Sequence, residues 1–414
     1  MTINCAICEY NPFHNGHALH MNFLRRGCDA SVVIMSGSFT QRGDAAIADK
    51  YTRAKWAVAA GADIVLELPA VFACANAEIF AYGAVKILNN ISDVNYLCFG
   101  TESGTERDFY NIAGILNNED DTFKGYISEF LKKGITLAEA KYLALEKYSG
   151  GDIVGRDDFS APPNVADILK SPNNILGVEY TKALLKLKSD IKIKILKREG
   201  GGYNDENLTG NFSSATAIRK ALKHPVIAVQ CHPSKILEGN LRCAGGRCAL
   251  QVVVPYGEIQ NNVPPFVFED LTTPPPDVSR LIMYGLLQKS AEEIRALPDV
   301  SEGLENRIKK YAEKYNNYDE FLKRLKTRRY TLSRLKRICV CSLLGITSEL
   351  TSAALNDNLY FKVLALKEGR EDILSHLSKS KSVLIMKNSD KEKLSETAKK
   401  VIEIDDFAER MLKV

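Results

Sequence analysis

Residues 9–20, EYNPFHNGHALH, carry three of the six histidines of a 414-residue chain. The stretch stands between an apolar run at residues 3–8 and a helical pattern at 17–27, so it reads as the loop joining a strand to a helix. Pro12 and Gly16 shape a turn. The helix opening near His17 points its unpaired N–H groups and the positive end of its dipole at that loop. Such a loop is an anion site before any side chain is counted. His14 and His17, three positions apart across a glycine, add donors for phosphate oxygens, and Gly16 leaves room for a flat base against the backbone. Donors so placed stabilise charge growing on a phosphate under attack, which is a chemistry of positioning and needs no covalent nucleophile. A bare H-x-G-H match would suit metal ligands or polar surface as well; its place after the first strand favours phosphate. His20, one turn on, falls on the helix face of His17, with a surface residue or one in the shell behind the site as the plainer alternative.

Working outward, strand patterns at 3–8, 31–35, 63–66 and 94–99 alternate with helical ones at 17–27, 50–60 and 77–89. That alternation predicts an α/β fold with a doubly wound parallel sheet, whose ligands bind at the carboxyl ends of the strands. Those ends read EYNPFHNGH, SGSFTQRGD, ELP and GTESG. A strand at 191–196 and a helix at 214–222 continue the pattern. The latter opens on SSATAIRKAL: Ser214 and Thr216 cap their own helix, and Arg219 with Lys220 supplies fixed positive charge, a second phosphate element. An ordinary capped helix with a surface Arg–Lys pair is the plainer alternative. Residues 226–265 read as an irregular connection or insert, 266–345 as mainly helical, and 346–414 as a small α/β appendage with apolar runs at 360–366 and 382–386. The catalytic unit is therefore expected within residues 1–225.

The composition, 45% hydrophobic and 26% charged with a net charge of +4, is that of a globular protein. No apolar run approaches the roughly 18 to 20 residues of a membrane span, and MTINCAICEY has no signal-peptide pattern. Ten dispersed cysteines read as reduced thiols. A cytoplasmic protein without a membrane partner is expected, its oligomeric state left open. Cys5 and Cys8 point to opposite faces of a strand, and Cys231, His232, Cys243 and Cys248 match no standard zinc spacing, so neither structural zinc nor another resident metal is expected.

Beyond the second strand, Arg42 and Asp44 stand where a small carboxylate or a base would lie, while Lys50 and Arg53 read almost as well as a solvated helix face. Glu67, before Pro69, suits magnesium or a ribose hydroxyl, and equally a carboxylate facing solvent; Asp63 opens the same strand. Residues 321–337, FLKRLKTRRYTLSRLKR, hold eight Lys/Arg and no acid. Lys326, Arg328, Arg329, Arg334, Lys336 and Arg337 predict contact with a nucleic-acid backbone, and Tyr330 a ring for stacking on a base. A solvated charged face is the alternative.

The stretches EYNPFHNGH, MSGSFTQRGDAAIADKYTRAKWAVAAGADIVLELP, EIFAYGAVKIL, FGTES, SPNNILGVEY, SSATAIRKAL and RRYTLSRLKR resemble the bacterial tRNA(Met) cytidine acetate ligase family of HxGH nucleotidyltransferases. The likeness spans most of residues 1–345; the stretches around GGDIVGRDDFSAPP and residues 226–265 depart from it. It implies that acetate and ATP form acetyl-adenylate, whose acetyl group passes to N4 of the wobble cytidine of elongator tRNA(Met), with acetate and not acetyl-CoA as donor. It implies an ATP site at Ile7, Cys8, Glu9, Tyr10, Asn11, Pro12, Phe13, His14, Asn15, Gly16, His17, Ala18, Leu19 and His20, joined by Gly100, Asn173 and Arg198. Magnesium is expected to accompany ATP. His14 and His17 would steady the α-phosphate, and Arg219 the departing pyrophosphate. Two other readings stay open: AMP transfer to a small metabolite or cofactor precursor, which leaves the basic run idle, and a non-catalytic nucleotide-sensing RNA-binding protein, which would tolerate loss of both histidines.

Overall fold

The computed structural model describes residues 1–135, 137–149, 165–198, 213–223, 226–229, 250–253, 259–271 and 276–413. Five parallel strands, β1 (Ile3–Cys8), β2 (Ala30–Ser36), β3 (Ile64–Leu68), β4 (Val94–Thr101) and β5 (Lys192–Lys197), lie in the order β5-β4-β1-β2-β3. Helices α1 (Asn15–Leu24) and α2 (Lys50–Ala59) are the first crossovers. β2 and β3 are buried along their whole length, as a strand covered on both faces must be. Alternation then assigns the faces: Val32 and Ile34 enter one apolar cluster, Val33 and Met35 the other, with Trp56 of α2. Successive strands step outward through β2 and β3 on one side of β1 and through β4 and β5 on the other. The switch point between β1 and β4 is where such a sheet leaves a crevice.

The two C-terminal apolar runs, expected in a small α/β appendage, are placed differently by the structure. They form β8 (Tyr360–Leu366) and β9 (Val383–Ile385), counting β6 and β7 below, and they extend the main sheet to seven strands. β8 pairs antiparallel with β3, Ile64 opposite Leu366. β3 is too apolar to stand as an open edge, and an antiparallel partner closes it without a crossover. Within 226–265, read as irregular, β6 (Val226–Val229) and β7 (Leu250–Val253) form an antiparallel pair of mostly β-branched residues. The four candidate zinc ligands, Cys231, His232, Cys243 and Cys248, lie outside the described residues. No single described helix is long and apolar enough to cross a membrane.

Helices at Ser279–Gln288, Leu304–Lys314, Tyr318–Leu325 and Leu332–Leu344 pack together, and their core residues Leu286, Ile308, Phe321 and Ile338 belong to the same apolar cluster as one face of the sheet.

The α2 cations are also corrected: Lys50 and Arg53 are fully buried, not solvated. Lys50 Nζ lies 2.8 Å from Glu67 Oε1 and 3.5 Å from Glu409, and Lys362 Nζ lies 3.2 Å from Glu67 and 2.9 Å from Asp406. Glu67 is thus a buried carboxylate between two ammonium groups, which removes it from the candidates for magnesium, ribose or solvent. Asp63 accepts from the backbone and hydroxyl of Ser31 and pairs with Arg370 at 2.6 Å. Arg53 donates to the carbonyls of Glu9 (2.6 Å), Ser36 (3.1 Å), Gly37 and Ala48 (3.0 Å). It fastens the loops that leave β1 and β2, and burial lowers its pKa to about 10.

Candidate active site

His14 is the N-cap of α1, so the helix starts two residues earlier than its apolar pattern suggests. Its Nδ1 accepts from Gly16 N at 3.1 Å, and His17 Nδ1 accepts from His14 N at 3.3 Å. The rings stack with centroids 3.7 Å apart. With each Nδ1 an acceptor, a neutral ring carries its proton on Nε2. Burial, with Arg198 and Arg219 nearby, holds His14 down to about 3; burial, with His14 beside it, lowers His17 well below the usual range. The pair is therefore two neutral N–H donors, and charge comes from elsewhere. A Cβ on Gly16 would stand 2.9 Å from His14 Cε1. The glycine makes room for the imidazole, which corrects the expectation that it makes room for a base. Burial brings His20 to about 4; it also bonds the Cys98 backbone, and its Nε2 is buried without a partner among the described residues.

One cleft joins the expected elements. Ile7, Cys8, Glu9, Tyr10, Asn11, His14, Gly16, His17, Leu19 and His20 line it from β1, α1 and the loop between them; Gly100, Asn173 and Arg198 from the far side of the switch point; Ser213, Ser214, Thr216 and Arg219 from the Ala215–Lys223 helix and the turn before it. Pro12, Phe13, Asn15 and Ala18 are not in the lining. Phe13 is core, and Asn15 donates from its backbone to Asn262 O (3.0 Å) and from its amide to Asn261 O (2.9 Å). Lys220 is exposed and outside the lining. Three helices, α1, Pro172–Lys186 and Ala215–Lys223, bring their first turns to this space, each adding partial positive charge. Ser214 Oγ accepts from Ala217 N at 3.1 Å, as expected of a cap. Arg219 donates to the Asn11 carbonyl and to Thr216 Oγ1 (3.2 Å), linking the histidine loop to the serine turn. Arg42, Lys197, Arg198 and Arg219 face a single carboxylate, Glu9, among the described lining residues. Such a cleft suits a polyphosphate.

Three positioning residues lie beyond the reach of the sequence reading. Glu102 accepts from Asn173 Nδ2 at 2.5 Å and lies 3.8 Å from Arg198 Nε, holding both; in sequence only its neighbour Gly100 stands out. Asn262 accepts from Ser213 N through Oδ1 (2.7 Å) and from Asn15 N through its carbonyl, so one residue ties the two phosphate elements together. Gln41 N donates to Glu9 Oε1 at 2.7 Å. FGTES contains one signal, an acid in a strand-end turn; the Asn-Asn pair in an unpatterned segment has none.

The basic run divides in two. Lys323, Arg324, Lys326, Arg328 and Arg329 are exposed, Arg329 beside Glu302 at 2.7 Å. Arg334 donates to the Asp299 carbonyl (2.7 Å) and Ser301, Arg337 pairs with Asp299 at 3.1 Å, and Lys336 pairs with Asp44 at 2.7 Å. Partners from other segments, invisible in a local reading, meet those three cations: carboxylates for Lys336 and Arg337, a carbonyl and a hydroxyl for Arg334. Tyr330, expected as a stacking ring, is 8% exposed and packs in the core, with Arg334 5.2 Å from its centroid. Arg42 lines the cleft but Asp44 does not; it is held by Lys336 instead. Gly43 (φ +76°) abuts the backbone there: a Cβ would come within 2.5 Å of Arg337 N. The 40–44 loop thus joins the cleft to the Leu332–Leu344 helix.

The family model described as HIGH Nucleotidyl Transferase matches residues 1–414. Proteins named tRNA(Met) cytidine acetate ligase from Acetivibrio thermocellus and Clostridium novyi are 38% and 37% identical over 395 and 391 residues, which is 94% and 93% of this chain and 89% of each relative. The crystal structure of Thermotoga maritima TmcAL bound with alpha-thio ATP superposes with a TM-score of 0.83 at 29% identity, covering 100% of this chain and 95% of that one. The apo form of the same protein gives 0.86 at 28%, covering 100% and 96%.

Proposed function

The chain belongs to the tRNA(Met) cytidine acetate ligase family of HIGH nucleotidyl transferases, and on that premise we propose that it joins acetate to N4 of the wobble cytidine of elongator tRNA(Met) at the expense of ATP. The observation that carries this reading is the His14–His17 donor pair sharing one cleft with Arg198, Arg219 and three helix N-termini. In the first step the acetate oxygen attacks the α-phosphorus, the bond to the bridging oxygen breaks, and pyrophosphate leaves. The two Nε2–H groups meet the charge that grows on the α-phosphate, while Arg219, fixed by Asn11 and Thr216, faces the leaving group. Arg42 is the cation assigned to the acetate carboxylate. In the second step the cytidine amine displaces AMP. Magnesium would reach the cleft with ATP; no group of three or more His, Cys, Asp or Glu side chains suited to a metal occurs among the described residues, so phosphate oxygens and water would hold it. Acetate, without acetyl-CoA, is the proposed donor, and the cytoplasm the proposed compartment, as the home of tRNA.

Residues 1–225 would thus carry the chemistry and the 266–345 helices the tRNA. Neutralising Lys323, Arg324, Lys326 and Arg328 is expected to weaken tRNA binding and to flatten its salt dependence by about 0.7 to 0.9 in log–log slope for each phosphate left without its cation. Neutralising Arg337 is expected to lower stability instead. Filter binding across a salt series checks both, and an unchanged slope refutes the placement of the tRNA backbone. ATP–pyrophosphate exchange with and without acetate, followed by nucleoside analysis of tRNA, tests the function. Acetate-dependent exchange with N4-acetylcytidine is the expected result; exchange indifferent to acetate means another acceptor of AMP.

A further inference from the structure

The second step needs something the donor cluster does not supply. The exocyclic amine of cytosine is conjugated with its ring and a poor nucleophile; on attack its nitrogen becomes acidic, and a base must take the proton. His14 and His17 cannot serve, because each Nδ1 already accepts a backbone N–H and each Nε2 is a donor. Glu9 can. It is the sole carboxylate among the described lining residues. Its Oε1 is anchored by Gln41 N at 2.7 Å, which fixes the group's orientation, and Oε2 has no hydrogen-bond donor among the described residues.

Its place in the cleft also fits. Glu9 bonds the loop that runs Gln41, Arg42, Gly43, Asp44, and Asp44 is paired with Lys336 of the basic segment while Gly43 abuts that helix's backbone. The wall of the cleft formed by Glu9 and Arg42 is therefore the one that continues into the proposed tRNA-binding helices. Arg198, Asn173 and Gly100 stand across the switch point. A nucleotide entering from the tRNA side meets Glu9 before it meets the far wall.

We propose that Glu9 is the general base of acetyl transfer, an assignment that rests on the function proposed above. The N4 lone pair attacks the acyl carbon of acetyl-adenylate and a C–N bond forms. The C–O bond to the phosphate breaks, AMP leaves with that electron pair, and the N4 proton passes to Glu9 Oε2 and then to solvent. The neighbourhood suits the task. Burial raises the Glu9 carboxyl above its ordinary value, while the Gln41 N–H and the guanidinium groups of Arg219, Arg42 and Arg53 oppose that rise. The Cys8 and Cys74 thiols nearby are pushed up by burial and stay protonated. His20, whose Nε2 has no partner among the described residues, is held near 4 by burial, which makes it the weaker base.

Glu9→Gln separates the roles, since the amide oxygen can still accept from Gln41 N but takes no proton at neutral pH. In a single turnover, protein preloaded with ATP and acetate is mixed with tRNA(Met) and N4-acetylcytidine is followed; acetate-dependent exchange is measured beside it. Transfer is expected to fall at least about 100-fold, the usual scale of general-base catalysis, and exchange by less than about tenfold. Glu9→Asp is expected to recover part of the transfer. The wild-type transfer rate is expected to rise with pH through the carboxyl titration and then level, and the glutamine variant to lose that acid limb. Equal losses in exchange and transfer would overturn the assignment in favour of a role toward ATP or its magnesium, and full transfer by the glutamine variant would overturn it outright. Wild-type protein that exchanges without acetylating would refute the proposed function, and this step with it.

Discussion

His17→Ala is expected to lower acetate-dependent ATP–pyrophosphate exchange about 10²- to 10³-fold, the effect of deleting one preorganised donor at a developing negative charge. His14→Ala costs at least as much activity and some stability besides, about 0.5 to 2 kcal/mol for an N-cap, because its Nδ1 caps α1. His14→Asn, which can cap, separates the two effects: its melting temperature returns toward the wild-type value while exchange does not. The pH profile carries the same argument. With His14 near 3 and His17 well below its usual range, both stay neutral from pH 5 to 8, so exchange should show no imidazole limb in that interval. A limb near 6.5 lost on His17→Ala would mean that the imidazolium is the working species.

Glu67→Ala is expected to destabilise the protein by about 3 to 5 kcal/mol, the scale for breaking a buried ion pair. Lys50 is fully buried and Lys362 7% exposed, and removing the carboxylate between them leaves like charges facing each other in the core. Urea denaturation followed by circular dichroism gives the number. Lys50→Met with Glu67→Met, which removes the pair and fills its space, should recover most of the loss; Asp406 still answers Lys362. A single-variant cost below about 1 kcal/mol would show that water reaches the site and screens it.

These two sites differ in how far they can be read from the chain. The histidine loop is legible because turn, glycine and helix start are local: the position of an anion site after β1 follows from neighbours in sequence. Its details are not. An imidazole caps a helix only when neutral, and besides burial the charges that keep it so belong to Arg198 and Arg219, far along the chain. Lys50 and Arg53 resist a local reading for the same reason, since an amphipathic pattern cannot reveal that carbonyls of Glu9, Ser36 and Gly37 await a guanidinium. Strands 360–366 and 382–386 are recognisable by their apolar runs, but alternation does not say which sheet a strand joins. The basic run shows its charge and hides its partners, for Asp44, Asp299 and Glu302 come from elsewhere. The strand-end turns are thus readable, and the long-range packing that sets their protonation is not.

The antiparallel pairing of β3 with β8 carries a consequence for how the protein is made. Glu67 meets Lys362 across most of the chain's length, and Lys50 meets Glu409 across still more. During synthesis the first three strands and α1 can collapse early, yet the sheet edge at β3 stays bare and Glu67 lacks its second cation until the C-terminal segment has left the ribosome. Contacts so distant in sequence form slowly, and a bare apolar edge invites wrong partners. The loops of the cleft therefore rest on a sheet whose β3 edge is closed only once residues 360–366 have been made, and a chain stopped short of them leaves that strand uncovered.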